Sequence, residues 1–134
     1  MKNHLNYIIV DDDPINNMIC NMTLRKALGT VDAKTFTEPE EGLEYIKNNF
    51  NINSDQTILF LDLNMPVLTG WQFLEQYENF SDEIKKQINI YILSSSIDKR
   101  DWDKSKKNKY IKGFLVKPMY PETILSIGAK KFTT

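Results

Sequence analysis

The sequence predicts an α/β domain built on a parallel sheet, and three observations point there. Five short apolar runs alternate with stretches of helical spacing, the pattern that βαβ units produce. One of these runs, Thr57 to Leu61, is nearly continuously apolar, as a central strand covered on both faces must be. Four runs end in polar chemistry. Ile8-Ile9-Val10 leads into Asp11-Asp12-Asp13, Ile58-Leu59-Phe60-Leu61 into Asp62, Ile90-Tyr91-Ile92-Leu93 into Ser94-Ser95, and Phe114-Leu115-Val116 into Lys117-Pro118. Residues just past the C-terminal ends of parallel strands gather at one edge of the sheet, where open α/β folds bind their ligands.

The elements follow in order. Tyr7 to Val10 is the first strand. Asp13 before Pro14 reads as a helix N-cap followed by proline at the first helical position. That helix runs to about Leu28, with Ile15, Met18, Ile19, Met22 and Leu28 expected to face inward at helical spacing, and Gly29 ends it. Val31 to Phe36 is a more polar strand, hence an edge. Thr37-Glu38-Pro39-Glu40 fits a capping box opening a second helix with Leu43, Tyr45 and Ile46. Asn48 to Gln56 is polar and loop-like. Thr57 to Leu61 is the central strand. Thr69-Gly70 leads into a third helix carrying Trp71, Phe73, Leu74 and Tyr77, and the charged residues 81–87 add a turn of helix. Asn89 to Leu93 is the fourth strand. Ser96 or Asp98 caps a conspicuously polar fourth helix. Gly113 to Val116 is a short fifth strand, and Pro121 opens a final helix with Ile124, Leu125 and Ile127.

At 134 residues, 41% hydrophobic and 26% charged, the chain reads as one globular domain over residues 1–134. The single cysteine, Cys20, rules out an internal disulfide and reads as a small buried hydrophobe. The longest apolar runs are strand-length, too short for a membrane-spanning helix. Met1-Lys2-Asn3-His4 lacks the apolar core of a signal peptide, so a cytoplasmic protein is expected. His4, the only histidine, is expected to have no role. The net charge of −1 is unevenly spread. Residues 1–80 hold 5 Lys/Arg and 12 Asp/Glu, and residues 81–134 hold 12 and 6. On the fourth helix Lys99, Arg100, Lys104, Lys106, Lys107 and Lys109 alternate with Asp98, Asp101 and Asp103, the pattern of a solvated face or of a surface for a partner. Trp102, among those charges, suits a docking contact, but is read first as partly buried against the helix base. No nucleic-acid motif accompanies the basic residues, so direct nucleic-acid binding is not expected.

Acids after the first strand exclude a nucleotide site of the glycine-rich kind, which uses backbone N–H groups to hold phosphate. Asp11, Asp12 and Asp13 would repel phosphate unless a cation intervened. Hard oxygen ligands favour Mg²⁺ or Mn²⁺. With Asp13 assigned to the cap, Asp11 and Asp12 remain for the metal. Asp62 is the nucleophile candidate: it ends the most hydrophobic strand, where a carboxylate without a task is costly to bury. A carboxylate can accept a phosphoryl group covalently, and the transfer needs mainly alignment and neutralised charge. Lys117 supplies a point charge, Ser94 a hydroxyl donor. Singly, Lys117 reads as a surface lysine and Ser94 as a strand terminator, but four strand ends in order reverse that. Proline after Lys117 fixes the turn, and a cis bond there would aim the lysine inward.

Val10-Asp11-Asp12, Leu61-Asp62-Leu63-Asn64-Met65-Pro66 with Gly70, Leu93-Ser94-Ser95 and Val116-Lys117-Pro118 together resemble the receiver domain of two-component response regulators, the CheY-like family, over nearly the whole chain. The resemblance implies a flavodoxin-like (βα)5 doubly wound sheet with strand order 2-1-3-4-5. It implies that Asp62 accepts phosphate from a sensor histidine kinase or a histidine phosphotransfer protein. It implies Mg²⁺ held by the Asp12 and Asp62 side chains and the Asn64 carbonyl, with Asp11 acting through a water. It also implies a switch in which Ser94 turns toward the phosphoryl group, Phe114 swings into the vacated space, and an output protein reads the face of the fourth helix, fifth strand and fifth helix. Two positions depart from the family's commoner residues: serine stands for threonine at 94, and phenylalanine for tyrosine at 114. Asn64 is expected to tune the access of water to the acyl phosphate.

Two rivals share part of this pattern. A haloacid dehalogenase-like phosphohydrolase also uses an aspartate after a strand, but wants a second acid two residues on, where this chain has Asn64. A pseudo-receiver would bind partners without accepting phosphate. The expectation is a signalling domain that catalyses only its own phosphorylation and dephosphorylation.

Overall fold

The computed structural model describes residues 6–49, 56–96 and 98–132; His4 and residues 50–55 of the predicted loop lie outside them. The elements are β1 (Asn6–Val10), α1 (Pro14–Leu28), β2 (Asp32–Phe36), α2 (Pro39–Asn49), β3 (Thr57–Asp62), α3 (Gly70–Tyr77), α4 (Asp82–Gln87), β4 (Ile88–Ser94), α5 (Lys99–Lys107), β5 (Ile111–Val116) and α6 (Pro121–Phe132). The charged segment after α3 forms a helix of its own, so the predicted fourth and final helices are α5 and α6.

All strands are parallel and lie in the order β2-β1-β3-β4-β5, as predicted. Period-two alternation sends successive side chains to opposite faces. Ile8, Val10, Leu59 and Leu61 pack with Leu43, Ile46, Phe73 and Tyr77 of α2 and α3. Tyr7, Ile9, Ile58 and Phe60 pack with Cys20 and Leu24 of α1 and with Ile124 and Ile127 of α6. All six residues of β3 are buried, which is why it reads as an unbroken apolar run. The edge strand β2 has no fully buried residue.

The register fixes the functional edge. Val10 lies opposite Leu61, Asp62 opposite Leu93 and Ser94 opposite Val116. The strand ends are therefore level, and the residues following them share one rim. Pairing of β4 with β5 shifts between Ile90 and Tyr91; β5 begins at Ile111, two residues before the predicted start. β4 is likewise longer at both ends than predicted.

The helix α1 corrects its predicted phase. Ile15, Met18, Ile19, Met22 and Leu28 are exposed, Ile15 at 59% and Met22 at 61%, while Asn17, Cys20 and Leu24 are buried. The reason is polar. Asn17 Nδ2 donates to the carbonyls of Asp11 at 3.0 Å and Phe36 at 3.3 Å. Buried backbone carbonyls need a partner, and this requirement turns the helix away from the phase its apolar residues suggest. In α6 Ile124 and Ile127 are buried but Leu125 is exposed. The helix α2 starts at Pro39, so Glu38 and not Thr37 precedes it, and the Glu38 carbonyl accepts from the N–H groups of Glu41 and Gly42. A complete capping box stands instead at α3, between Thr69 and Gln72. Asp13 and Asp98 cap α1 and α5, and Gly29, at a φ of +85° that favours glycine, ends α1. Among the described residues no helix is long and apolar enough to cross a membrane.

Candidate functional site

Asp11 and Asp62 stand at the ends of the neighbouring interior strands β1 and β3, and both are buried, Asp62 with only 5% of its surface exposed. Asp12 is half-buried beside them. Each of the three offers a carboxylate oxygen, and these oxygens lie within 4.8 Å of one another. The strand pattern and register bring them together, since neither strand end is next to the other in sequence.

Lys117 reaches into this cluster from the end of β5. Its Nζ donates to Asp11 Oδ2 at 2.6 Å and lies 3.6 Å from Asp62 Oδ1. The side chain is 17% exposed, so its stem is covered while its charge faces the acids. The Lys117-Pro118 bond is cis. Burial alone would lower the pKa of Lys117; the hydrogen bond to Asp11 and the charges of Asp62 and Asp11 outweigh it and raise it. Burial raises the pKa of Asp62, and the charge of Asp11 raises it further, against the opposing pull of Lys117 and of the Asn64 N–H. One ammonium therefore does not offset the crowded carboxylates. A hard divalent cation is the complement of such an oxygen set, so the residues present fit Mg²⁺ or Mn²⁺.

The backbone holds the acids in place. Asp11 Oδ1 accepts from the N–H of Asp13 at 3.0 Å, and Asp13 Oδ1 from that of Ile15 at 2.9 Å. Asp13 is thus the exposed cap, and Asp11 and Asp12 are left for the site. Asp62 Oδ1 accepts from the Asn64 N–H at 3.3 Å, which folds the turn back over the carboxylate, while the Asn64 side chain is exposed. Gly70 closes that turn. Its N–H donates to the Leu63 carbonyl at 3.0 Å, and a Cβ there would lie 2.7 Å from the Asp62 carbonyl oxygen and 2.8 Å from Leu63.

Ser94 is buried at the same rim, but its hydroxyl donates to the Ser96 carbonyl at 2.7 Å and accepts weakly from the Ser96 N–H. The hydroxyl is satisfied within its own turn. Phe114, on β5 opposite Ile92, is half-buried, and its ring meets the Trp102 ring edge-to-face at 5.7 Å. Trp102 is 36% exposed and so combines partial burial with an open face. The Cys20 thiol is pushed up to about 12, first by burial and then by the charge of Asp11, and is inert at neutral pH.

Sequence reasoning missed Asn17, whose amide ties the Asp11 peptide to the end of β2. The only signal was an amide residue in the second turn of a helix beginning next to three acids. A sheet-facing amide becomes recognisable only once the strand ends are aligned.

The family model of the response regulator receiver domain matches residues 7–128. Among solved structures the chain is similar to a response regulator receiver protein from Dyadobacter fermentans, at 23% identity and a TM-score of 0.88, covering 97% of this chain and 99% of that one. A two-component response regulator from Cytophaga hutchinsonii is similar at 19% identity and a TM-score of 0.88, covering 99% and 100%. These two likenesses establish the fold alone. The chemotaxis protein CheY4 of Vibrio cholerae is similar at 26% identity and a TM-score of 0.71, covering 95% and 98%. No curated protein sequence matches the chain. None of these findings favours a phosphohydrolase.

Proposed function

The chain belongs to the response regulator receiver family of two-component signalling, and from that premise we propose that Asp62 is its phosphoacceptor within a single receiver domain. The observation that carries this is the placement of Lys117, whose ammonium lies 2.6 Å from Asp11 and 3.6 Å from Asp62 at the buried end of the central strand.

An oxygen of the ionised Asp62 carboxylate takes the phosphoryl group from a phosphohistidine of a sensor kinase or phosphotransfer protein. An O–P bond forms as the N–P bond breaks, and the imidazole leaves with its electron pair. Asp11, Asp12 and Asp62, with the Asn64 backbone, would hold Mg²⁺ or Mn²⁺, which supplies neutralisation of the phosphoryl oxygens when bound. Lys117 holds a positive charge 3.6 Å from Asp62, where it stabilises charge on the transferring group. Ser94 completes the set by leaving the Ser96 carbonyl and donating to a phosphoryl oxygen. Its departure frees space for Phe114, and Phe114 carries the change to Trp102 and α5. The output protein then reads the α5, β5 and α6 face. The exposed Asn64 side chain controls how readily water reaches the acyl phosphate. The location that suits these partners is the cytoplasm.

Acetyl phosphate with Mg²⁺ tests the chemistry. One phosphoryl mass is expected on the intact protein, mapped to Asp62, and none on Asp62→Asn. Complete absence of labelling on the folded wild-type protein would leave a pseudo-receiver that only binds partners.

A further inference from the structure

The helix α5 is held to the body by little apolar surface. Ser105 is its one buried residue, and the Ser105 hydroxyl donates back to the Trp102 carbonyl at 2.7 Å. A nine-residue polar helix is marginal without tertiary contacts. One such contact is Trp102 on Phe114. A second comes from α3. Trp71 Nε1 donates to Asp101 Oδ1 at 3.0 Å, and Lys104 Nζ stands 4.5 Å from the centre of the Trp71 ring. Asp101 and Lys104 are three residues apart and so share a face of α5. They grip the same indole at its edge and on its π face.

The other end of this contact is fixed to the phosphoacceptor turn. Trp71 follows Gly70, which has no room for even one carbon between itself and the Asp62 and Leu63 backbone. The Thr69–Gln72 capping box pins the same helix end. The Trp71 side chain therefore leaves the backbone directly beside the turn that carries Asp62. We propose that Trp71 and Asp101 form a latch that holds α5 in its resting position and ties it to the Asp62 turn by a route separate from Ser94 and Phe114. The proposal deepens the reading of Asp62 as the phosphoacceptor and rests on it for its functional consequence. The latch makes α5 a two-position element whose resting position costs the phosphorylated state some of its population.

Amide hydrogen exchange of residues 99–107 in the unphosphorylated protein tests the latch without any phosphoryl donor. Trp71→Phe keeps an aromatic face for Lys104 and removes the N–H; Asp101→Ala removes the acceptor from an accessible position. Each is expected to raise exchange in α5 about tenfold, and the double variant by little more than either alone, because both remove the same Nε1–Asp101 hydrogen bond. Exchange within twofold of wild type in both single variants, or additive effects in the double, would overturn the latch. The second arm measures beryllofluoride binding with Mg²⁺. If the latch opposes the phosphorylated state, both variants bind it several-fold more tightly than wild type. Unchanged affinity reduces the contact to a structural one and overturns the regulatory proposal. Failure of wild-type protein to bind beryllofluoride or to be labelled by acetyl phosphate would instead remove the reading of Asp62, while the exchange result would still decide whether the latch exists.

Discussion

The rim formed by the ends of β1 and β3 and the flank formed by α5 and β5 are built on opposite plans. At the rim, all six residues of β3 are buried, and Asp11, Asp62 and Ser94 sit within the packed interior. At the flank, β5 has no fully buried residue and α5 has one; aromatic edges and ammonium–ring contacts take the place of a core. Lys106 lies 4.8 Å from the Trp102 ring centre and Lys104 4.5 Å from that of Trp71. Chemistry on a phosphoryl group needs charges that do not relax, and close packing holds them. On the proposed function the flank reports the state of the rim and must move at small cost, which exposed contacts worth a fraction of a kilocalorie allow.

The largest effect that separates the two regions is expected at Gly70. Gly70→Ala forces a Cβ against the Asp62 and Leu63 backbone, and about 3 kcal/mol of stability should be lost in denaturant unfolding, the scale of overpacking against atoms that cannot step aside. A loss under about 0.5 kcal/mol would mean that the rim yields as easily as the flank.

A smaller effect of opposite sign is expected at Asp62. Its pKa is raised in the folded state, mainly by burial and by Asp11. Folding then favours its protonated form, and stability falls as the pH climbs from the ordinary carboxylate value of 3.8 through the folded one. Wherever the folded carboxyl is ionised without a divalent cation, the wild type bears that cost. Asp62→Asn should therefore raise the thermal midpoint at pH 7 by a few degrees, with Lys117 still paired to Asp11. The gain should vanish near pH 3 and shrink when Mg²⁺ stabilises the wild type. A gain independent of pH would assign the effect to packing and not to charge.

The smallest effect is expected on the flank. Lys106→Ala removes an exposed ammonium from the Trp102 ring and should change stability by about 0.5 kcal/mol or less, as measured by the same unfolding curves. A cost comparable to that of Gly70→Ala would erase the contrast.

What the sequence made legible follows the same division. Asp11, Asp12, Asp62 and Lys117 could be placed because each follows an apolar run, and a parallel sheet turns that position into a location in space. The inward face of α1 could not, because Asn17 answers to the carbonyls of Asp11 and Phe36, one of them 19 residues away. The engagement of Ser94 with Ser96 was equally hidden: a hydroxyl at a strand end has several acceptors within reach, and local sequence does not rank them. Trp71 and Asp101 are 30 residues apart, and nothing in either segment announces the other. The residues that bear charge for the proposed reaction were visible; those that orient or restrain them depend on tertiary contacts.

The alternation of β1 and β3 between two helical layers has a consequence for how such a chain can diverge. Adding or deleting one residue within β3 would exchange the occupants of both layers at once and move Asp62 off the rim. Length changes in descendants of this gene should therefore be confined to the connections, with the strands inherited at constant length even where most of their letters have been rewritten.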